Sequence, residues 1–182
     1  MAKKRTPARA GPERRDVLRL VAVFALRFFG ALFAASLLFS LGGFHRALEP
    51  LQAALAAAGA FGARLLGTDA HAEGIHIAVS RDLVMLINHE CTGVFVLIIW
   101  GALLFARRTT WLTRLWGFAA GVLIIQAVNI ARLATLAAIG AHWPTLFAYF
   151  HEYVWQGLFV AIIAVMAATW PDDAEEQRLV PR

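Results

Sequence analysis

Cysteine and charge are what this chain has least of. One cysteine, Cys91, occurs in 182 residues, which excludes an intramolecular disulfide framework and any metal site built on a CxxC pair. Charged residues make up 16% of the chain and hydrophobic ones 60%, whereas a soluble globular domain carries ~25% charge. A small polytopic membrane protein fits these proportions, and the length allows one domain. Also missing are a glycine-rich nucleotide loop, a zinc motif, a nucleic-acid platform and the His-x-x-x-Asp cluster of a lipid-modifying hydrolase. No cofactor, metal or nucleic-acid partner is expected. The lipid bilayer is the partner that composition names.

The scarce charge is unevenly placed. Lys3, Lys4, Arg5, Arg9, Arg14, Arg15 and Arg19 stand against Glu13 and Asp16. Residues 1–16 also hold Pro7, Gly11 and Pro12 without an apolar period, which predicts a disordered basic arm on the cytoplasmic side. Residues 20–41 then run for 22 residues with Arg27 as their single charge. That length crosses a ~30 Å hydrocarbon core. It exceeds the ~7–15 apolar residues of a signal peptide, so an uncleaved first membrane helix is expected. Residues 17–170 are expected to form one integral membrane domain. Residues 171–182 read as a cytoplasmic tail, whose Leu179-Val180-Pro181-Arg182 ending looks like the remnant of a thrombin-cleavable tag.

Residues 42–90 are irregular. Gly42-Gly43 should break the first helix, and the Ala-rich stretch 51–66 is short for a span, closely bracketed by charge. It fits a helix on the membrane surface or a re-entrant one. Residues 75–79 alternate with period two, residues 83–87 form a second β-capable run, and Ser80-Arg81-Asp82 is turn-like, so a short hairpin is predicted. Apolar stretches follow at residues 92–106, 115–139 and 149–170. The architecture expected is an all-α membrane protein with about four transmembrane helices. An extracytoplasmic segment would add a surface helix and a short β-hairpin.

Charge fixes the topology. The basic N-terminus and the loop bearing Arg107, Arg108 and Arg114 both belong inside. The first helix therefore exits and the helix following Cys91 enters, so residues 51–66 cannot be a single full span. Parity then brings Cys91, Arg132 and His151 to the outer face. A thiolate can attack a carbonyl carbon, and the oxyanion formed needs a donor or positive charge. A histidine can take the thiol proton and return it to a leaving amine. An arginine remains charged near lipid and offers a planar fork of donors. At the first turn of a membrane helix the positive dipole end would favour the Cys91 thiolate. Within the first turn of the last helix it would favour a neutral, proton-accepting His151, whereas the adjacent Glu152 would act the other way. Gln126, Asn129 and Arg132 recur at three-residue spacing and share one helix face. That stripe could instead glue a partner helix, in a non-catalytic membrane assembly factor. Arg132 could equally be a structural ion-pair partner of Glu90 or Glu152.

The order Cys91-Thr92-Gly93, then Asn129-Ile130-Ala131-Arg132, then His151 with Gly157 following resembles the exosortase/archaeosortase family of multi-pass membrane cysteine transpeptidases. The motifs cover roughly residues 75–170, and the N-terminal half matches in hydropathy alone. Thr92 replaces the usual serine but keeps the hydroxyl. The chain is close in size to compact members such as exosortase H. The resemblance implies a cysteine peptidase or transpeptidase with Cys91 as nucleophile, His151 as general acid/base and Arg132 stabilising oxyanion or substrate. Thr92, Asn129, Glu90 and Glu152 would support them. It implies exported protein substrates that end in a sorting signal, a membrane helix and a basic tail, with an amine or water as acceptor. It also implies a bacterial inner membrane location, with the site facing the periplasm.

Overall fold

The computed structural model describes residues 14–40, 44–81, 83–107 and 109–170. Residues 1–13 of the expected arm, the Gly42-Gly43 break, Asp82, Arg108 and the tail with its tag-like ending lie outside them. Helix α1 (Arg14–Ser40) begins three residues before the expected domain boundary. Its stretch Val17–Ser40 is long and apolar enough to cross a membrane, as are Trp111–His142 and Pro144–Thr169. The fourth apolar helix, α4 (Val94–Ala106), has 13 residues and rises about 20 Å. The chain is thus a mostly helical membrane protein with a small sheet, in which α4 is short of a full crossing by itself.

Between α1 and α4 come α2 (Phe44–Ala47), α3 (Glu49–Leu65) and the strands β1 (His71–Glu73), β2 (His76–Ala78) and β3 (Val84–Leu86). The sheet is antiparallel in the order β1-β2-β3. The predicted hairpin is its β2–β3 half. The third strand, His-Ala-Glu, lacks the β-branched alternation that marks a strand in sequence. A two-residue Gly74-Ile75 loop joins it to β2, with Gly74 at φ 59°, a conformation open to glycine.

Helix α5 (Trp111–His142) has 32 residues and is about 48 Å long, well over one hydrocarbon thickness. Its second half is covered by α3 and the sheet rather than by a second membrane helix alone. Small residues make that contact close. A Cβ on Gly59 would stand 2.9 Å from the Leu133 Cβ, and one on Gly62 2.7 Å from that of Ala134. Leu55, Ala56, Ala60, Ile77, Met85, Ile87, Leu133 and Leu136 form the resulting outer core. The Ala-rich stretch is therefore a helix packed on α5.

A separate inner core unites Trp100, Leu104, Ile125, Phe159 and Met166 from α4, α5 and the last helix. That helix is continuous through three segments: α6 (Pro144–Tyr149), a π turn (Phe150–Val154) and α7 (Trp155–Thr169). At its foot, Arg107 Nη1 donates to the Trp170 carbonyl at 3.4 Å and Arg114 Nη2 to the Arg107 carbonyl at 2.8 Å. Arg114 also lies over the rings of Phe105 and Trp111. This basic and aromatic girdle is what a membrane–water boundary selects.

Candidate active site

The site lies against the outer core, on which Cys91 and Phe147 pack. Measured along the helices from the girdle, Arg132 stands about 27 Å above Arg114 and His151 about 28 Å above Trp170. Both are one hydrocarbon thickness away. Cys91 reaches the same level by a different local structure. Asn88 caps a 3-10 turn, His89–Thr92, its Oδ1 accepting from the backbone N–H of Glu90 at 3.0 Å and Cys91 at 3.1 Å. Thr92, fully buried, closes the turn by donating Oγ1–H to the His89 carbonyl at 2.6 Å. That bond is one a serine could also make, so Thr92 keeps the hydroxyl's structural part. Gly93 follows at φ 73° and starts α4. A side chain there would be strained, because the left-handed region disfavours a Cβ.

Helix α5 holds this turn from beneath. Gln126 Nε2 donates to the Thr92 carbonyl at 2.9 Å and Asn129 Nδ2 to the Cys91 carbonyl at 2.7 Å. One turn further out, Arg132 Nη2 lies 3.2 Å from His151 Nε2. The three-residue stripe is thus three consecutive rungs: two clamp the backbone beside the thiol and the third meets the histidine. Asn88 and Gln126 are contributors that sequence reasoning did not assign. An asparagine two and three residues ahead of the amides it accepts from is the available signal for Asn88.

The Cys91 thiol is not favoured as thiolate by its surroundings. Burial pushes it up, the Arg132 charge and the Asn88 backbone pull it down, and Glu90 adds to the rise. Burial prevails, and the cysteine sits in a four-residue 3-10 turn rather than in the first turn of α4. The expectation for His151 also changes. The last helix begins at Pro144, so His151 lies in the π turn, beyond the first turn where dipole effects act. Such turns accommodate one extra residue and recur at functional positions. The His151 ring stacks on Phe147 at 5.9 Å and 13°. Because guanidinium only donates, its hydrogen bond to Nε2 requires a lone pair there, which puts the proton of a neutral ring on Nδ1.

No carboxylate lies within ion-pair distance of Arg132 among the described residues, and Glu90 and Glu152 are exposed. The structural ion pair considered for Arg132 is therefore not formed there. Arg132 Nε is buried without a hydrogen-bond partner among those residues. The other histidines do other things. His71 faces Glu73 at 3.6 Å, His142 packs edge-on to Trp143, and His89 lies among Phe39 and Phe95.

A cavity of about 250 Å³ opens on this cluster, lined by residues 83–87 and by Cys91, Arg132, Leu133, Leu136, Phe147 and His151. A larger apolar hollow of about 800 Å³ lies between α5 and the last helix but contains none of the three reactive residues. Among the described residues no group of His, Cys, Asp and Glu is arranged to hold a metal ion. No curated protein and no solved structure matches the chain. The family model for transmembrane exosortases matches residues 15–169, a stretch running from the first helix to the last and including every residue of the site. The chain belongs to the transmembrane exosortase family.

Proposed function

We propose that this chain is a cysteine peptidase or transpeptidase that cleaves the C-terminal sorting signals of exported proteins at the outer face of the bacterial inner membrane. Family membership supports the class of substrate. The observation that carries the chemistry is the convergence of Cys91, Arg132 and His151 on one small cavity, one hydrocarbon thickness from the basic girdle.

The thiol proton passes to His151 Nε2 as the sulfur attacks the scissile carbonyl carbon, and the carbonyl π electrons move to oxygen. For this transfer Arg132 first leaves Nε2, freeing the lone pair that takes the proton, and its donors turn to the new oxyanion. Collapse expels the amine of the signal, which takes its proton from His151, and leaves an acyl-enzyme on Cys91. An acceptor amine or water then attacks the thioester, with His151 again as base. Thr92, Asn129 and Gln126 keep the nucleophile's backbone in place. Glu90 and Glu152 contribute charge at the mouth and no direct contact with Arg132. The raised thiol suits this order, in which proton transfer accompanies attack rather than preceding it.

The alternative, an assembly factor whose polar stripe binds a partner helix, needs free donors on α5. Gln126 and Asn129 each donate inside the chain, and Asn129 is fully buried, so the stripe does not face outward as a whole. The decisive experiment is single-turnover cleavage of an exported reporter carrying the sorting signal. Cys91→Ala should abolish cleavage with normal membrane insertion, and His151→Ala should lower it about 10²–10⁴-fold. Processing by the Cys91→Ala chain at the unaltered rate would overturn the proposal.

A further inference from the structure

Among the described residues the outer edge of β3 is unpartnered, and it lines the cavity that holds Cys91. In the β2–β3 ladder Ile87 N–H donates to the Ile75 carbonyl at 2.8 Å and Val79 N–H to the Leu83 carbonyl at 3.0 Å. Hydrogen-bonded pairs alternate along an antiparallel ladder, so Met85 faces Ile77 in the next such pair. The N–H and C=O groups of Val84 and Leu86 therefore point away from the sheet. Neither residue has another backbone partner among the described residues. Their side chains are 57% and 53% exposed, while Met85 and Ile87 are buried in the core. This edge lines the 250 Å³ cavity together with Cys91, Arg132, Phe147 and His151.

Unpaired backbone groups do not face hydrocarbon, where each costs several kcal/mol. The edge must therefore meet water or a polypeptide. A substrate has the complementary deficit. A peptide bond within a helix is shielded and its hydrogen bonds are already made, so the stretch to be cut must be unwound. Unwinding near the membrane boundary leaves N–H and C=O groups unpaired. The edge of β3 supplies partners at alternate positions, which is the geometry of strand addition.

We propose that β3 binds the substrate as an added strand, so that the extended stretch carrying the scissile bond pairs with Val84 and Leu86. This rests on the peptidase reading above. Val84 and Leu86 offer apolar side chains at the rim, so the stretch recognised is extended and uncharged beside them. A charged neighbour would lose hydration there without gaining a partner.

The test uses the full-length chain made cysteine-free by Cys91→Ala, with a cysteine returned as Val84→Cys or Leu86→Cys. The probe is an exported, membrane-anchored reporter whose C-terminal signal the unaltered chain cleaves in cells. Single cysteines are placed at successive reporter positions around the cut and oxidised mildly against the chain. Disulfides are expected at alternate reporter positions, with the set moving by two positions between the Val84→Cys and Leu86→Cys chains. Disulfides three or four positions apart would mean that a helix docks there and would overturn the proposal. So would disulfides formed only between two copies of the chain, or none at all.

As a second measurement, Val84→Pro and Leu86→Pro in the Cys91-containing chain remove an N–H that the sheet does not use. Each should lower kcat/KM for the reporter about tenfold, the loss of one hydrogen bond, at an unchanged rate of Cys91 alkylation. Val84→Thr and Leu86→Thr, which keep the N–H, should each lose less than the proline variant at the same position. Full activity in both proline variants overturns strand addition. A reporter cut equally well by the Cys91→Ala chain overturns the peptidase reading instead, so the two failures are distinguishable.

Discussion

Replacing Asn129 with leucine separates what the amide does for the fold from what it does for Cys91. Asn129 is completely buried, its Nδ2 donates to the Cys91 carbonyl at 2.7 Å, and its Oδ1 has no partner among the described residues. Two effects on stability oppose each other. Loss of the donor deprives a buried carbonyl, at about 1–3 kcal/mol. Loss of the unpartnered Oδ1 removes a desolvation cost of about the same 1–3 kcal/mol. The net change in stability should stay under about 2 kcal/mol, a shift of less than about 8 °C in melting temperature for a chain of this size.

Activity has no such compensation. Without the clamp, Gln126 supplies the remaining hydrogen bond from α5 to the turn carrying Cys91, and a nucleophile misplaced by about 1 Å loses about 10²-fold in rate. Single-turnover cleavage and thermal unfolding, measured on the same detergent sample, should show a large loss of rate beside a small loss of stability. An Asn129→Leu chain cleaving at the unaltered rate would refute the clamp. One that melts about 15 °C or more lower would refute the cancellation argument.

Three other outcomes follow from the same geometry. Alkylation of Cys91 by iodoacetamide should show a pH midpoint above that of free cysteine, because burial favours the thiol, and Arg132→Gln should move it higher still by removing the charge that holds the thiolate; a midpoint at or below free cysteine contradicts this. Gly121→Ala should destabilise the protein by about 1–3 kcal/mol in thermal unfolding, since its Cβ would fall on the indole of Trp100, which is buried and bonded to the Gly117 carbonyl at 2.9 Å. Reporter fusions at residues 70 and 110 should report opposite sides of the membrane, as the distribution of arginines requires; the same side for both would separate Cys91 from the face where substrate arrives.

The apolar runs, the hairpin and the shared face of Gln126, Asn129 and Arg132 were legible in the sequence, because each rests on a repeat of two, three or four residues. What that face touches was not. Periodicity says which residues are neighbours on α5 but not that two of them would clamp the carbonyls of residues 92 and 91. The ends of α5 were also hidden, because the turns beyond its apolar run hold polar and small residues, from the Thr110 cap at one end to Gly140 and His142 at the other. The start of the last helix was misjudged by five residues for a similar reason. Its first turns begin at Pro144, which reads as loop beside His142-Trp143 but stands at the start of the helix, so His151 lies beyond the turn whose dipole was expected to act on it.

The two carbonyl clamps divide the site mechanically. Cys91 and Arg132 ride on one body, α5 with its pinned turn, while His151 rides on the last helix, joined to α5 through Trp143-Pro144. Helices adjust to thinner or thicker bilayers by tilting. Tilt of the last helix against α5 stretches the 3.2 Å contact between Arg132 and His151 and leaves the spacing of Cys91 to Arg132 intact. On the mechanism proposed above, a change in lipid composition would shift His151 relative to Cys91 while leaving Cys91 and Arg132 in their relative places.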